Sequence, residues 1–273
     1  MRRFTDEYLT VTRAGMWGDT RAALEPLSLA DREQILDVGC GTGELTRVLV
    51  EESTGTVTGV DADRTHLSGR GAGQQVLAGD ACRLPFRDDV FDLVVCQALL
   101  INLPDPTLAA REFDRISSDL VAAIEPDNGR VQVDSTVQSE VSLTRRARTH
   151  FLAGVETDVT LGGVGVRQLF EELGLADIRT CRYEHVRTIE PPYDETALVA
   201  ARRMATGTGI ETDRETLLSG ELTPEEYDDL RTEWRTMGRS VVDQMRVDEY
   251  RRRETVPFFV TVGRVRTDSR NGE

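Results

Sequence analysis

The stretch ILDVGCGTGELT, residues 35–46, constrains this chain more than any other. An apolar run reads as a strand, glycines follow at 39, 41 and 43, and a helical pattern begins at Glu44. Glycine lets the backbone come close to a ligand, and the first turn of the next helix offers free N–H groups. A loop of this kind cradles a nucleotide or nucleoside, and its neighbours narrow the choice. The dinucleotide fingerprint needs glycine at position 44, where Glu44 stands, and a carboxylate there repels a pyrophosphate. A P-loop is excluded because no Gly-Lys-Ser/Thr follows. Asp37, just ahead of the glycines, can accept from an ammonium group and not from a phosphate. The loop therefore predicts a nucleoside without phosphates.

Two further carboxylates fall at the ends of the next strands. VTGVDAD puts Asp61 where an acidic residue grips ribose hydroxyls in open α/β folds, and Asp63 is the better candidate for a helix cap. AGDACRLPF puts Asp80 at the C-terminal end of a third strand, where it can accept the exocyclic amine of adenine beside the backbone of Ala81 and Cys82.

Strands are predicted at 34–38, 56–60, 74–78, 91–97 and 120–126, with helices at 43–52, 63–70 and 105–117 between them. That alternation predicts an α/β fold with a mostly parallel sheet. Beyond it, helices are expected at 136–153, 164–173, 194–205, 213–219 and 223–250, and strands at 181–189 and 256–265. The last two strands would form a hairpin were a helical segment not inserted between them.

All 33 basic residues are arginine, against 48 acidic residues, for a net charge of −15. Such a surface repels phosphate backbones, so general nucleic-acid binding is not expected. Acidic, lysine-free composition resembles that of proteins from extreme halophiles, where salt screens dense negative charge. The N-terminal MRRFTDEYLTVTRAG lacks a signal-like apolar run, and the run around LVVCQALLI is too short to span a bilayer. A soluble, cytoplasmic protein with no membrane span is expected. Cys40, Cys82, Cys96 and Cys181 form no CxxC pair and fit no zinc spacing, which predicts free thiols and no metal.

DVGCGTG, GVDAD, GDACRLPF, FDLVVCQALLINLPDP and AAIEPDN, in this order, resemble the class I, Rossmann-like methyltransferases that use S-adenosylmethionine. The resemblance covers about residues 33–128 and is greatest to the small-molecule branch that includes the ubiquinone/menaquinone-type enzymes. It implies one methyltransferase domain over 1–273, with a seven-stranded, mostly parallel sheet, helices on both faces and an antiparallel last strand. Its parts would be an N-terminal helical lid (1–33), a cofactor-binding core (34–135), a lid helix (136–160), a helical cap inserted at 192–250 and a final strand (256–266). It implies S-adenosylmethionine as cofactor, S-adenosylhomocysteine as product, and a small-molecule acceptor methylated by in-line displacement. The acceptor atom, whether oxygen, nitrogen, carbon or sulfur, stays open.

By the same resemblance Asp37, Gly39, Cys40, Gly41 and Gly43 meet the methionine part of the cofactor. Asp61 and Ala62 take the ribose, Asp80 and Ala81 the adenine, and Gln97 lies against the methionine end. The chain departs from the family where RISSDL replaces a Gly-Gly turn before the fifth strand, and where Asn102 stands in place of a histidine. Glu125, Asn128 and Asn102 are the candidates for catalysis, Glu125 and Asn128 also for acceptor contact with Asp127 beside them, and Tyr8 and Trp17 for lid contacts. His66, His150 and His185 read as surface or satisfied residues. The arginine runs at 145–148 and 251–253 could attract an acidic substrate, although neighbouring acidic faces are their expected partners. Two alternatives remain: a non-catalytic cofactor-binding partner subunit, and an NAD(P)-dependent oxidoreductase, against which the glycine spacing, Glu44 and Asp37 argue.

Overall fold

The computed structural model describes residues 16–19, 21–67 and 75–266. In chain order its elements are α1 (Met16–Asp19), β1 (Gln34–Val38), α2 (Glu44–Glu52), β2 (Thr56–Asp61), β3 (Gln75–Ala78), β4 (Phe91–Gln97), α3 (Pro106–Ile116) and β5 (Ser117–Pro126). Then come β6 (Gln132–Ser135), α4 (Gln138–Gly154), α5 (Val164–Glu172), β7 (Ala176–Ile189), α6 (Glu195–Thr206), α7 (Thr208–Glu211), α8 (Arg214–Ser219), α9 (Pro224–Met245) and β8 (Arg252–Arg264). The chain forms two compact units. The first draws on Met1–Asp127, Thr160–His185 and Pro257–Glu273, and the second on Asn128–Val159 and Val186–Val256.

In the first unit the strand order is β3-β2-β1-β4-β5-β8, with β7 also paired to β8. The pairs β1–β2, β1–β4, β2–β3 and β4–β5 are parallel, and β5–β8 is antiparallel. Successive side chains of a strand point to opposite faces, and that alternation divides the core in two. Ile35, Val57, Leu93 and Val95 pack with Leu45, Val48 and Leu49 of α2 in one cluster. Leu36, Val38, Val60, Val94 and Cys96 pack with Phe113 of α3 and Phe170 of α5 in the other. A sheet covered on both faces explains why β1 and β4 read as continuous apolar runs.

The described residues contain eight strands where seven were expected. The added one is β6, four residues with only Val133 buried, too short for its alternation to stand out from a loop. The helix expected at 63–70 is a 3-10 turn at Arg64–Leu67 within the described residues. RISSDL, in place of a glycine turn, carries the chain straight from α3 into β5 at Ser117, whose Oγ donates to Leu120 O at 3.1 Å.

The second unit is mostly helical. Leu143, Ala201, Ile210, Leu217, Tyr227, Leu230, Met237, Val241 and Tyr250 make its core. α9 begins with Pro224 behind a capping box: the Thr223 side chain accepts from Glu226 N and the Glu226 side chain accepts from Thr223 N. That reciprocal pair satisfies N–H groups which a helix start otherwise leaves open. Within this unit β6 pairs antiparallel with the first residues of β8.

Candidate functional site

β1 and β2 end side by side, with Asp37 opposite Gly59 and Val38 opposite Val60. The chain then turns sharply. Gly39 N and Cys40 N both donate to Val60 O, at 2.7 and 3.1 Å, and Gly43 N donates to Cys40 O at 2.8 Å. Gly39, Gly41 and Gly43 all have positive φ, a region that an L side chain occupies only with strain. A Cβ on Gly39 would also lie 2.9 Å from Leu99 Cδ1.

Two buried carboxylates brace this turn. Asp37, fully enclosed, accepts from Thr46 Oγ1 of α2 at 2.6 Å. Asp61, at the end of β2, accepts from Gly41 N at 2.7 Å and from Asp63 N at 2.8 Å. Asp63 accepts from both the N–H and the hydroxyl of Thr65, the local capping role its position predicted. Ala62, between the two aspartates, is exposed. Beyond β3, Asp80 is exposed, its Oδ1 accepts from Cys82 N at 2.9 Å, and Ala81 is buried beside it.

Polar atoms shut away from water are normally hydrogen-bonded. In the glycine turn, Thr42 Oγ1 and Glu44 Oε2 are buried and have no partner. A carboxylate oxygen can only accept, so Glu44 calls for a donor such as an ammonium or hydroxyl group. Thr42 was not anticipated from the sequence. Its one signal was its place between Gly41 and Gly43.

The end of β4 faces the same edge of the sheet. Gln97 is buried, and its Nε2 lies 3.0 Å from Met16 Sδ of α1. Ala98 adopts positive φ, and the Asn102 side chain donates to Ala98 O at 2.8 Å, so its amide closes the turn on which it sits. Glu125, at the end of β5, is fully buried. Its Oε1 accepts from Leu99 N at 3.0 Å, Leu100 N at 2.9 Å and Cys96 Sγ at 3.6 Å, while Oε2 is buried without a partner. Burial pushes Glu125 up to about 7, against the lowering effect of the N–H groups it accepts from. Its carboxyl holds the loop after β4, and through Leu99 that loop presses on Gly39. Asp127 is buried, and its N–H donates to Pro257 O at 3.0 Å.

Other expected contacts lie elsewhere. Trp17 is in the core of the first unit, edge-on to Phe258 at 6.1 Å. Asn128 belongs to the second unit, where its side chain donates to Val159 O at 2.8 Å. Tyr8 and the His66 side chain lie outside the described residues. His185 is buried, and His150 sits near Glu226 of the α9 cap. No disulfide joins the four cysteines, and burial raises the Cys96 thiol well above its ordinary value. Of the arginine runs, Arg146 pairs with Glu233, and Arg252 with Glu140 and Glu254.

Residues 36–119, from β1 through the start of β5, match the family described as methyltransferase domain. Over this stretch the chain is similar to methyltransferase domains. A methyltransferase candidate from Bacillus halodurans has the same fold, with a TM-score of 0.53 at 14% identity over 92% of this chain and 100% of that one. The demethylmenaquinone methyltransferase of Lactiplantibacillus plantarum is 36% identical over 107 residues, which is 35% of this chain and 45% of that protein. Its Staphylococcus aureus (strain MRSA252) counterpart is 39% identical over 92 residues, 30% of this chain and 37% of that protein. The chain thus spans less than half the length of these curated relatives. No described helix is long and apolar enough to cross a membrane.

Proposed function

We propose that the chain is an S-adenosylmethionine-dependent methyltransferase acting on a small molecule. The observation that carries this reading is the glycine turn. Two of its buried side-chain oxygens have no partner, and it lies inside the stretch that matches the methyltransferase family. When bound, the cofactor supplies an electrophilic methyl group on a sulfonium. Glu44 and Thr42 meet its ammonium and carboxylate end, with Asp37 behind them and the backbone of Gly39, Cys40, Gly41 and Gly43 alongside. Asp61 and Ala62 take the ribose hydroxyls, Asp80 and Ala81 the adenine, and Gln97 lines the methionine side.

Displacement at a sulfonium needs alignment and a dry site more than proton transfer. Glu125 serves alignment by holding the loop after β4. Asn102 is occupied with Ala98 O, so its place in the loop serves geometry and not acid-base work. The partial likeness to demethylmenaquinone methyltransferases supports a ring-bearing acceptor of the quinone-precursor kind. The acidic, lysine-free composition supports a halophilic origin.

Incubating the full chain with methyl-labelled cofactor and a pool of small metabolites tests this reading. Label transferred to an acceptor, with S-adenosylhomocysteine released, is the expected result. Cofactor binding with no label transferred would favour the partner-subunit alternative, and no binding would overturn both.

A further inference from the structure

A group of charges in the second unit plays no part in that reading. β6 and β8 pair with Val133 opposite Glu254 and Ser135 opposite Arg252, and residues 252 and 254 share one face of the strand. Arg252 Nε donates to Glu140 Oε1 at 3.0 Å, and Arg252 Nη2 donates to Glu254 Oε2. Arg187, near the end of β7, donates to the other oxygen of Glu254. Glu140 also accepts from Tyr250 OH at 3.1 and 3.0 Å and from Ser135 Oγ at 2.6 Å. All four carboxylate oxygens are therefore engaged.

Arg148 of α4 differs from the other two arginines. It is half-buried, and its guanidinium donates to Val131 O at 3.0 Å, just before β6, with no ion pair to a carboxylate among the described residues. Burial pulls it below its ordinary value; Glu254 opposes that effect, and Arg252 and Arg187 add to it. Arg187 Nε is also buried and without a partner. Three guanidinium groups thus stand against two carboxylates, which leaves one positive charge in excess. The planar fork of a guanidinium group matches a carboxylate.

We propose that Arg148, with the unpartnered Nε of Arg187, forms a binding site for the carboxylate of a small organic acid. One surplus charge matches a monoanion and not a phosphate dianion. The proposal does not rest on methyl transfer, and its test needs no cofactor.

The test is calorimetric titration of the full chain with sodium benzoate and sodium acetate, against sodium chloride and inorganic phosphate at equal ionic strength. Saturable binding of the carboxylates, weakened about tenfold or more in Arg148→Gln by the loss of one charge-assisted contact, is expected. The hydrogen bond that Arg148 makes is to a backbone carbonyl, so this variant should fold, which circular dichroism checks. Arg148→Lys keeps the charge without the fork and should recover part of the affinity. No carboxylate binding beyond that of chloride would overturn the proposal. So would tighter binding of phosphate, or equal carboxylate affinity in Arg148→Gln.

Discussion

Asp61 Oδ2 accepts the Gly41 N–H at 2.7 Å, so the carboxylate that ends β2 also fixes the glycine turn that follows β1. Its other oxygen takes Asp63 N at 2.8 Å. One side chain thereby joins the two loops that the proposed cofactor would meet. Asp61→Asn keeps the shape but replaces one acceptor with a donor, which cannot pair with both N–H groups. It should weaken S-adenosylhomocysteine binding by about tenfold and cost about 1–3 kcal/mol of stability through the orphaned N–H. Calorimetry and urea unfolding would read the two effects separately.

Thr46→Val removes the donor that meets Asp37 Oδ2 at 2.6 Å without changing side-chain volume much. The enclosed carboxylate loses one hydrogen bond, so unfolding free energy should fall by about 1–3 kcal/mol. Urea denaturation of the variant beside the parent checks this; unchanged stability would show that the bond contributes little.

Glu125 predicts a pH dependence. Its folded value of about 7 lies above the ordinary 4.5, because burial disfavours the charged form. The unfolded chain therefore releases the proton first, and stability falls as pH rises from about 4.5 to about 7. That loss amounts to about 3 kcal/mol as an order of magnitude. Glu125→Gln abolishes the ionisation, so the stability of the parent relative to this variant should drop between pH 5 and pH 8. A constant difference would contradict it.

Glu254 predicts the opposite slope. Although burial pushes it up, Arg252 and Arg187 hold it down at about 2. Its contribution to stability is present above the ordinary carboxylate value of 4.5 and is lost as pH falls from there toward 2. Glu254→Gln should be less stable than the parent at pH 7, by about 3 kcal/mol or less, and the gap should close in acid. Paired unfolding curves at pH 7 and pH 3 measure it.

The sequence showed the site's backbone more clearly than its side chains. Gly39, Gly41 and Gly43 were legible because a turn between a buried strand and a helix demands positive φ, and the apolar runs of β1 and β4 announced a sheet covered on both faces. Glu125 was legible only as an acid at a strand end. Which way its carboxyl turns depends on the N–H groups of Leu99 and Leu100, some 25 residues earlier in the chain. The pairing of Arg252 with Glu140 joins residues 112 apart, and a run of three arginines gives no sign of it. β6 escaped notice because only its pairing with β8 makes it a strand.

The most direct test of the account is calorimetric titration of the full chain with S-adenosylhomocysteine, for the parent and for Asp61→Ala. Saturable one-to-one binding by the parent is expected, with an affinity lower by about tenfold or more in the variant, from one lost charge-assisted contact. Absence of binding by a folded parent would contradict the proposed function, and equal affinity in the two proteins would contradict the role given to Asp61.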